Sequence, residues 1–471
     1  MKTKNNLTEG PIVKSLINLT IPIVFTNILH TAYSLVDTFW VGRLGKEAMA
    51  SVSLSFPVIF LLISLGGGLA IAGTILVAQY RGKGESANVN YISAQTFLMM
   101  FFASLIVTAA GYFSAEFFIK LMNAETSVSA DAIAYLKISF LGMIFLFAYF
   151  VFQALMRGNG DVKTPMYIVL GTVILNLILD PLFIFGYGPV PAYGVRGAAI
   201  TTIATQALAA IIGLVFLFDG RYGIHLKLRD FQPDFKLLGK MFRLGFPASV
   251  EQSMRAGALM AMVFLVAEFG TVTVAAYGIG TRILSLVFIP ALGLAMSTST
   301  LVGQNIGAGK PERAVKISRI SAMVGFISLS VMGIIIFAFA ENLSAFFLPG
   351  EVSAIRSSAM FIKIMALSFG FIAIEHVLNG AFRGAGNTFI SLLFTIISVW
   401  LLRLPLAYFL SRNNTLAQTG IWLAFPLANI AGALIAMVYF SKGKWKDKKV
   451  TDEIQLEEQV SEEAILETQW G

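Results

Sequence analysis

The sequence predicts an all-α, polytopic membrane protein of twelve transmembrane helices, and three observations carry that prediction. The first is composition. Of the 471 residues, 57% are hydrophobic and 13% charged, with a mean hydropathy of +0.78, which leaves too little polar surface for a water-soluble globule. The second is segment length, because the apolar runs reach the roughly 20 residues that a helix needs to cross a bilayer. The third is an internal repeat. At an offset of 225 residues, Pro22 falls on Pro247, Gly45 on Gly270, Ala50 on Ala275, Gln79 on Gln304, Gly82 on Gly307 and Gly84 on Gly309. After a slip of one residue to 226, Lys137 meets Lys363, Arg157-Gly158-x-Gly160 meets Arg383-Gly384-x-Gly386, and Gly194 meets Gly420.

Taken in order, the first half holds spans near 15–40, 51–80, 91–113, 133–156, 166–187 and 193–218. The second holds spans near 238–268, 274–303, 317–340, 356–382, 388–411 and 419–440. The run from Ile17 to Trp40 follows Lys2, Lys4 and Lys14 as a signal peptide would. It is too long for a signal core and has a counterpart from Leu238, so it reads as a span. Six spans per half is an even number, so the repeats are parallel and form two six-helix bundles about a pseudo-twofold axis normal to the membrane. The expected organisation is an N-terminal lobe 1–219, a cytoplasmic linker 220–237, a C-terminal lobe 238–440 and a cytoplasmic tail 441–471. Such a duplicated membrane protein reads as a transporter with its pathway between the halves.

Lys and Arg set the orientation. One set of ends carries Lys14, Arg81, Lys83, Arg157, Lys163, the 221–243 cluster, Lys310 to Arg319, Arg383 and Lys442 to Lys449. That crowded side is cytoplasmic by the positive-inside rule, which puts both termini inside the cell membrane. The net charge of +8 is therefore a topology signal, and its dispersal over six loops argues against nucleic acid as a partner. With no cysteine, and with His30, His225 and His376 scattered, neither a disulfide framework nor a histidine metal site is expected. Gly307-Ala308-Gly309-Lys310 looks like half a phosphate loop, but Pro311 takes the Ser/Thr place. No cofactor is expected, and an ion gradient is the plausible energy source. The acidic tail from Trp445, with Glu457 and Glu458 among its charges, is given no function.

Chemistry belongs to ionisable groups at membrane depth, each costing about 2.5–3.5 kcal/mol at a helix centre. In the first half these are Asp37 on span one and Asp180 on span five, at similar depth. Asn176 lies one turn before Asp180 on the same face, offering an amide oxygen, and Thr202 on span six adds a hydroxyl at that height. An oxygen cluster of this kind suits a proton or Na⁺. The bland alternatives are that Asp37 ends its helix near the headgroups, that Asp180 caps a break before Pro181 and that Thr202 bonds back to its own helix.

The second half differs in kind. Glu251 and Arg255 are four apart on span seven and can pair. Arg282 lies on span eight, Glu375 and His376 on span ten and Arg403 on span eleven. At the repeat offset these charges have uncharged counterparts. Ion coupling in the first lobe and a substrate-pathway or gating role for Glu251, Arg255, Arg282, Glu375 and Arg403 follow. The competing reading is a salt-bridge network of Glu251, Arg255, Arg282 and Arg403 that only fixes packing, with His376 a packed core residue. Gly66, Gly67 and Gly68 suit close helix packing, whereas Pro22, Pro247 and Pro290 mark bend points. The 40 Phe and 18 Met give adaptable apolar walls for flat lipophilic cations.

Several stretches together resemble the multidrug and toxic compound extrusion (MATE) transporters: Val36-Asp37-Thr38-Phe39-Trp40-Val41-Gly42-Arg43-Leu44-Gly45, Ala78-Gln79-Tyr80, Arg157-Gly158-x-Gly160-Asp161, Leu175-Asn176-x-x-x-Asp180-Pro181 and Gly197-Ala198-Ala199. The resemblance extends to about residue 440 and is to the prokaryotic branch with the first-helix Asp and Asn-x-x-x-Asp. It implies a V-shaped antiporter that exchanges H⁺ or Na⁺ for cationic or lipophilic drugs by alternating access, with Asp37, Asn176, Asp180 and Thr202 as the cation site. Glu251 and Glu375 depart from the second-lobe acids of other branches. The expected partners are small drugs or organic cations and the bilayer, with the chain acting as a monomer. The alternative is a lipid or lipid-linked saccharide flippase lined by Arg255, Arg282 and Arg403. An intramembrane enzyme lacks the nucleophile and base it would need.

Overall fold

A computed structural model describes residues 7–453 apart from 123–124, 348–349 and 414. Lys2, Lys4 and the acidic tail from Ile454 onward lie outside the described residues. The protein is helical throughout, and its one β-bridge among the described residues joins Tyr187 to Val190. The helices of the first half are α1 Ile12–Gly42, α2 Lys46–Lys83, α3 Ser86–Leu121, α4 Thr126–Asn159, α5 Lys163–Phe185 and α6 Val195–Asp219. Those of the second half are α7 Phe235–Ala267, α8 Thr271–Gly307, α9 Pro311–Ala338, α10 Ala340–Phe347, α11 Val352–Ala366, α12 Phe369–Gly384, α13 Thr388–Thr395, α14 Leu404–Ser411 and α15 Gln418–Ser441. Among the described residues eleven helical stretches are long and apolar enough to cross a membrane, or twelve if the bent α11–α12 pair is one span. Their outward faces carry large apolar residues such as Ile106, Phe113 and Phe264, as lipid contact requires.

Span ten differs from its sequence reading. In place of one helix over 356–382, α11 and α12 meet at a 53° bend. No proline marks the break; instead Ser368 donates through both its backbone N–H and its hydroxyl to Met365 O, each at 2.9 Å, satisfying a carbonyl that the bend frees. Span eleven is one run, but Ile396–Arg403 between α13 and α14 is wound as a π-helix. Pro405 explains the widening, because its ring lacks an N–H and would clash with the carbonyl four residues earlier in a regular helix.

The chain divides into two packed units. The first contains 25–249, and the second contains Leu7–Val24 with Val250–Val450. The divisions fall inside α1 and α7, two residues beyond Pro22 and Pro247. Within unit one, α7 closes on α2 so tightly that a Cβ on Gly68 would lie 2.2 Å from Ser249 Cα. Within unit two, the repeat-related Gly293 leaves the same room for Val24. Gly66 likewise gives way to the Phe147 ring, so these glycines serve close packing.

The paired Arg-Gly-x-Gly motifs are helix stops. Gly160 (φ 95°) ends α4 in the left-handed conformation that glycine tolerates, with Gly160 N–H bonded to Arg157 O and Asp161 N–H to Met156 O. Asp161 then caps α5, accepting the backbone N–H groups of Lys163 and Thr164 at 3.0 and 3.1 Å. Gly386 and Asn387 repeat the stop in unit two. Gly158 and Gly384 bring α4 and α12 against carbonyl oxygens of Thr74 and Ser299, where a Cβ would sit at 2.7 and 2.4 Å.

The linker is docked on unit one: buried Gln95 donates to Asp230 O and Gln232 O at 2.9 and 2.7 Å and accepts from Asp234 N–H. At the other end of the chain, Trp445 is buried against Phe440 and Phe382. The adjacent Lys446 pairs with Glu312, which holds its ammonium group above the usual lysine range.

Candidate functional site

The helical period aligns the polar residues of unit one. On α1, Tyr33 and Asp37 are four residues apart and share a face, as do Asn176 and Asp180 on α5. On α6, Thr201, Thr202 and Thr205 cover one turn. Asp37, part-buried, accepts from the Thr202 hydroxyl at 3.2 Å, and Thr202 is the neighbour on α6 of Thr201, which holds Asp180. Asp180, with no exposed surface, accepts from Asn176 Nδ2 at 3.0 Å and from the Thr201 hydroxyl. The Tyr33 hydroxyl joins Thr205 and reaches Thr202 O. Apolar packing by Val41, Tyr135, Ile184, Val195, Ala198 and Ala199 walls the adjoining end, and Gly197 lets α6 press on Phe183 O.

Three buried oxygens of this group have no donor: Asp37 Oδ1, Asp180 Oδ2 and Asn176 Oδ1. Unmet oxygens at membrane depth are costly, and a shared proton or small cation would satisfy them. The structure thus brings together all four residues that the sequence singles out, with one change. Asn176 turns its NH₂ toward Asp180 rather than its oxygen. Thr201, Tyr33 and Thr205 were missed, although spacing of four from Asp37 or from one another, and adjacency to Thr202, pointed to them.

In unit two, Glu251 and Arg255 pair at 3.2 Å as their spacing suggests. Glu251 Oε1 also accepts from Arg383 and from Thr395, both at 3.2 Å, and Arg255 reaches Thr395 at 2.8 Å and Glu375 Oε1 at 4.0 Å. Glu375 accepts from Ser398 of the π segment. Arg403 donates to Asn429 Oδ1 at 2.8 Å and lies over the Phe425 ring. Arg282 does not join the expected network; it is exposed, with its guanidinium 6.0 Å from the Phe347 ring. Depth along a helix does not fix facing, and the α8 face with Arg282 turns away from the cluster. Arg383 takes its place, a residue that read as part of a turn motif and as one of the basic charges at the crowded set of helix ends. His376 is buried beside Phe288 and bonds Ile372 O, as a packed core histidine does.

The family model described as MatE matches twice, over residues 22–182 and 247–409, so each match opens on one of the paired prolines. The chain belongs to the MatE family. This MatE protein is 31% identical over 439 residues to a probable multidrug resistance protein NorM of Thermotoga maritima, covering 93% of this chain and 94% of that one. It is 30% identical to the probable multidrug resistance protein YpnP of Bacillus subtilis, over 95% and 99% of the two chains. A protein of Shewanella oneidensis named FAD transporter is 26% identical over 91% of this chain and 94% of its own length. In fold, it matches a solved MOP superfamily transporter from Pyrococcus furiosus with a TM-score of 0.88 at 23% identity, covering 95% of this chain and all of that one.

Proposed function

We propose that this MatE protein is a secondary active exporter that exchanges H⁺ or Na⁺ for lipophilic or cationic drugs by exposing its site alternately to the two sides of the membrane. The observation that carries the reading is the set of unmet oxygens on Asp37, Asp180 and Asn176, with the two carboxyls held by the adjacent hydroxyls Thr202 and Thr201 of α6. The names of the two relatives at 30% identity or more support drug export, and the family is one of transporters rather than enzymes. In the proposed cycle, loading of the coupling ion neutralises Asp37 and Asp180 and so weakens their hold on a cationic drug. Because the ion and the drug compete for the same charge, each lowers the affinity for the other, and the gradient of one drives the other. Thr201 and Thr202 orient the carboxyls, and Tyr33 braces α6 through Thr205 and Thr202 O. The crowding of Lys and Arg at one set of helix ends supports cytoplasmic termini in the cell membrane, and we expect the chain to work as a monomer.

The flippase reading is less favoured, because Arg282 sits apart from Arg255 and Arg403. Vesicles containing the purified chain, given either a pH gradient or a Na⁺ gradient, test the proposal through uptake of a fluorescent cation. One gradient should drive uptake that an ionophore for that ion abolishes. Uptake indifferent to both gradients would refute ion coupling.

A further inference from the structure

The opening turns of α7, which belong to unit one, present three separate faces. Leu237, Leu238, Met241, Leu244 and Ala248 are buried and turn toward the rest of the unit, where Gly245 lets the helix press on Leu69 O. Phe235, Phe242 and Phe246 recur at intervals of seven and four, which sets them on a second face. All three are exposed, and the rings of Phe242 and Phe246 stack at 5.4 Å. Lys236, Lys240 and Arg243 recur at intervals of four and three on a third face beside the rings, with Lys236 and Arg243 exposed. Between Phe235 and Ser249 there is no acidic residue.

The 33 residues of α7 rise about 50 Å at 1.5 Å per residue, against a hydrocarbon core of about 30 Å. The helix therefore overreaches the core, and its opening turns stand at the headgroups on the side where Lys and Arg crowd. Phe231 packs on the rings of Phe97 and Phe218, which pins the linker that carries exposed Leu228 and Arg229 into α7. Topology alone does not account for the basic row. At the repeat offset of 225, Phe242 and Phe246 fall on Ile17 and Ile21 of α1, which are exposed as well. Lys236, Lys240 and Arg243 fall instead on Pro11, Ser15 and Asn18, and Lys14 falls on Gly239. Both helices start on the same side and keep the apolar contact, but only α7 adds a row of cations. A row of Lys and Arg flanked by exposed rings matches the headgroups and chains of an anionic lipid, and the guanidinium fork of Arg243 suits a phosphate. We propose that this face of α7 binds anionic phospholipid of the cytoplasmic leaflet, independently of what the chain transports. Lys236, Lys240 and Arg243 meet the headgroup phosphates, and Phe242 and Phe246 meet the acyl chains.

The test titrates the detergent-solubilised full chain with a short-chain phosphatidylglycerol or the matching phosphatidylcholine and reads the rise in unfolding midpoint. Phosphatidylglycerol should reach half its effect at a concentration about tenfold or more below phosphatidylcholine, since each basic side chain at an anionic surface is worth about fivefold. Added salt should erode that difference. Joint Lys236→Gln, Lys240→Gln and Arg243→Gln should bring the two lipids within about twofold of each other. Joint Lys316→Gln, Arg319→Gln and Lys442→Gln, which removes the same charge from exposed positions of unit two, should leave the preference intact. Lipid-free midpoints matching that of the unmodified chain show that both variants are folded. Should the α7 triple variant not fold, Arg243→Gln alone decides, with an expected loss of about fivefold. No preference in the unmodified chain, a preference indifferent to salt, or equal loss in both variants overturns the proposal. The competing occupant is the acidic segment after Glu453: a preference that appears only in a chain ending at Glu453 assigns the face to that segment and overturns the lipid site.

Discussion

Replacing Glu251 by glutamine takes the negative charge from a side chain that is 3% exposed and leaves two part-buried guanidinium groups facing a neutral amide. Breaking a buried pair in this way costs about 3–5 kcal/mol. Because the amide oxygen still accepts one of the three donors that now converge on Oε1, the lower end of that range, about 3 kcal/mol, is expected. Arg255→Met should cost less, about 1–2 kcal/mol, since Glu251 then keeps Arg383 and Thr395. Arg282→Gln, outside the cluster, should change stability by no more than about 0.5 kcal/mol. Thermal unfolding midpoints of the detergent-solubilised chain should therefore fall in the order Arg282→Gln, Arg255→Met, Glu251→Gln. The double variant should be closer to Glu251→Gln alone than to the sum of the two losses. A Glu251→Gln midpoint equal to that of Arg282→Gln would refute the reasoning, because it would mean the cluster holds nothing together.

Gly384→Ala should destabilise by about 1–3 kcal/mol through overpacking on Ser299 O, whereas Gly171→Ala, with open space around its Cβ, should be neutral or gain up to about 1 kcal/mol in helix propensity; the two melting curves decide. Thr201→Val removes the hydroxyl that donates to Asp180, and gradient-driven uptake should fall about tenfold, at least as far as with Thr202→Val. Trp445→Ala should lower the unfolding midpoint by an amount equivalent to about 3–5 kcal/mol, since the side chain is 1% exposed; an unchanged midpoint would show that the start of the tail is not part of the core.

The helical architecture was legible because length, apolarity and a 225-residue offset all act along the chain. Asp37, Asn176, Asp180 and Thr202 were legible for a related reason: ionisable and polar groups are rare at membrane depth, and a spacing of four fixes a shared face. What sequence spacing does not encode is rotation of one helix against its neighbours. Arg282 therefore read as a member of a cluster from which its helix face turns away, and Arg383 read as a turn residue although its side chain reaches Glu251. The bend at Leu367–Ser368 lacked a proline, and the π-wound stretch before Pro405 follows from one that gave no sign of its extent. Thr201 was overlooked beside Thr202 because both stand at one height and only packing tells which hydroxyl meets which carboxyl.

The central claim is that Asp37 and Asp180 load and unload the coupling ion. Its most direct measurement is movement of that ion out of vesicles when drug is added on the opposite side, compared among the unmodified chain, Asp37→Asn, Asp180→Asn and the double variant, all shown to be folded by their melting curves. Drug-dependent ion flux should disappear in the double variant and be strongly reduced in each single one. Full flux with both carboxylates neutralised would contradict the account.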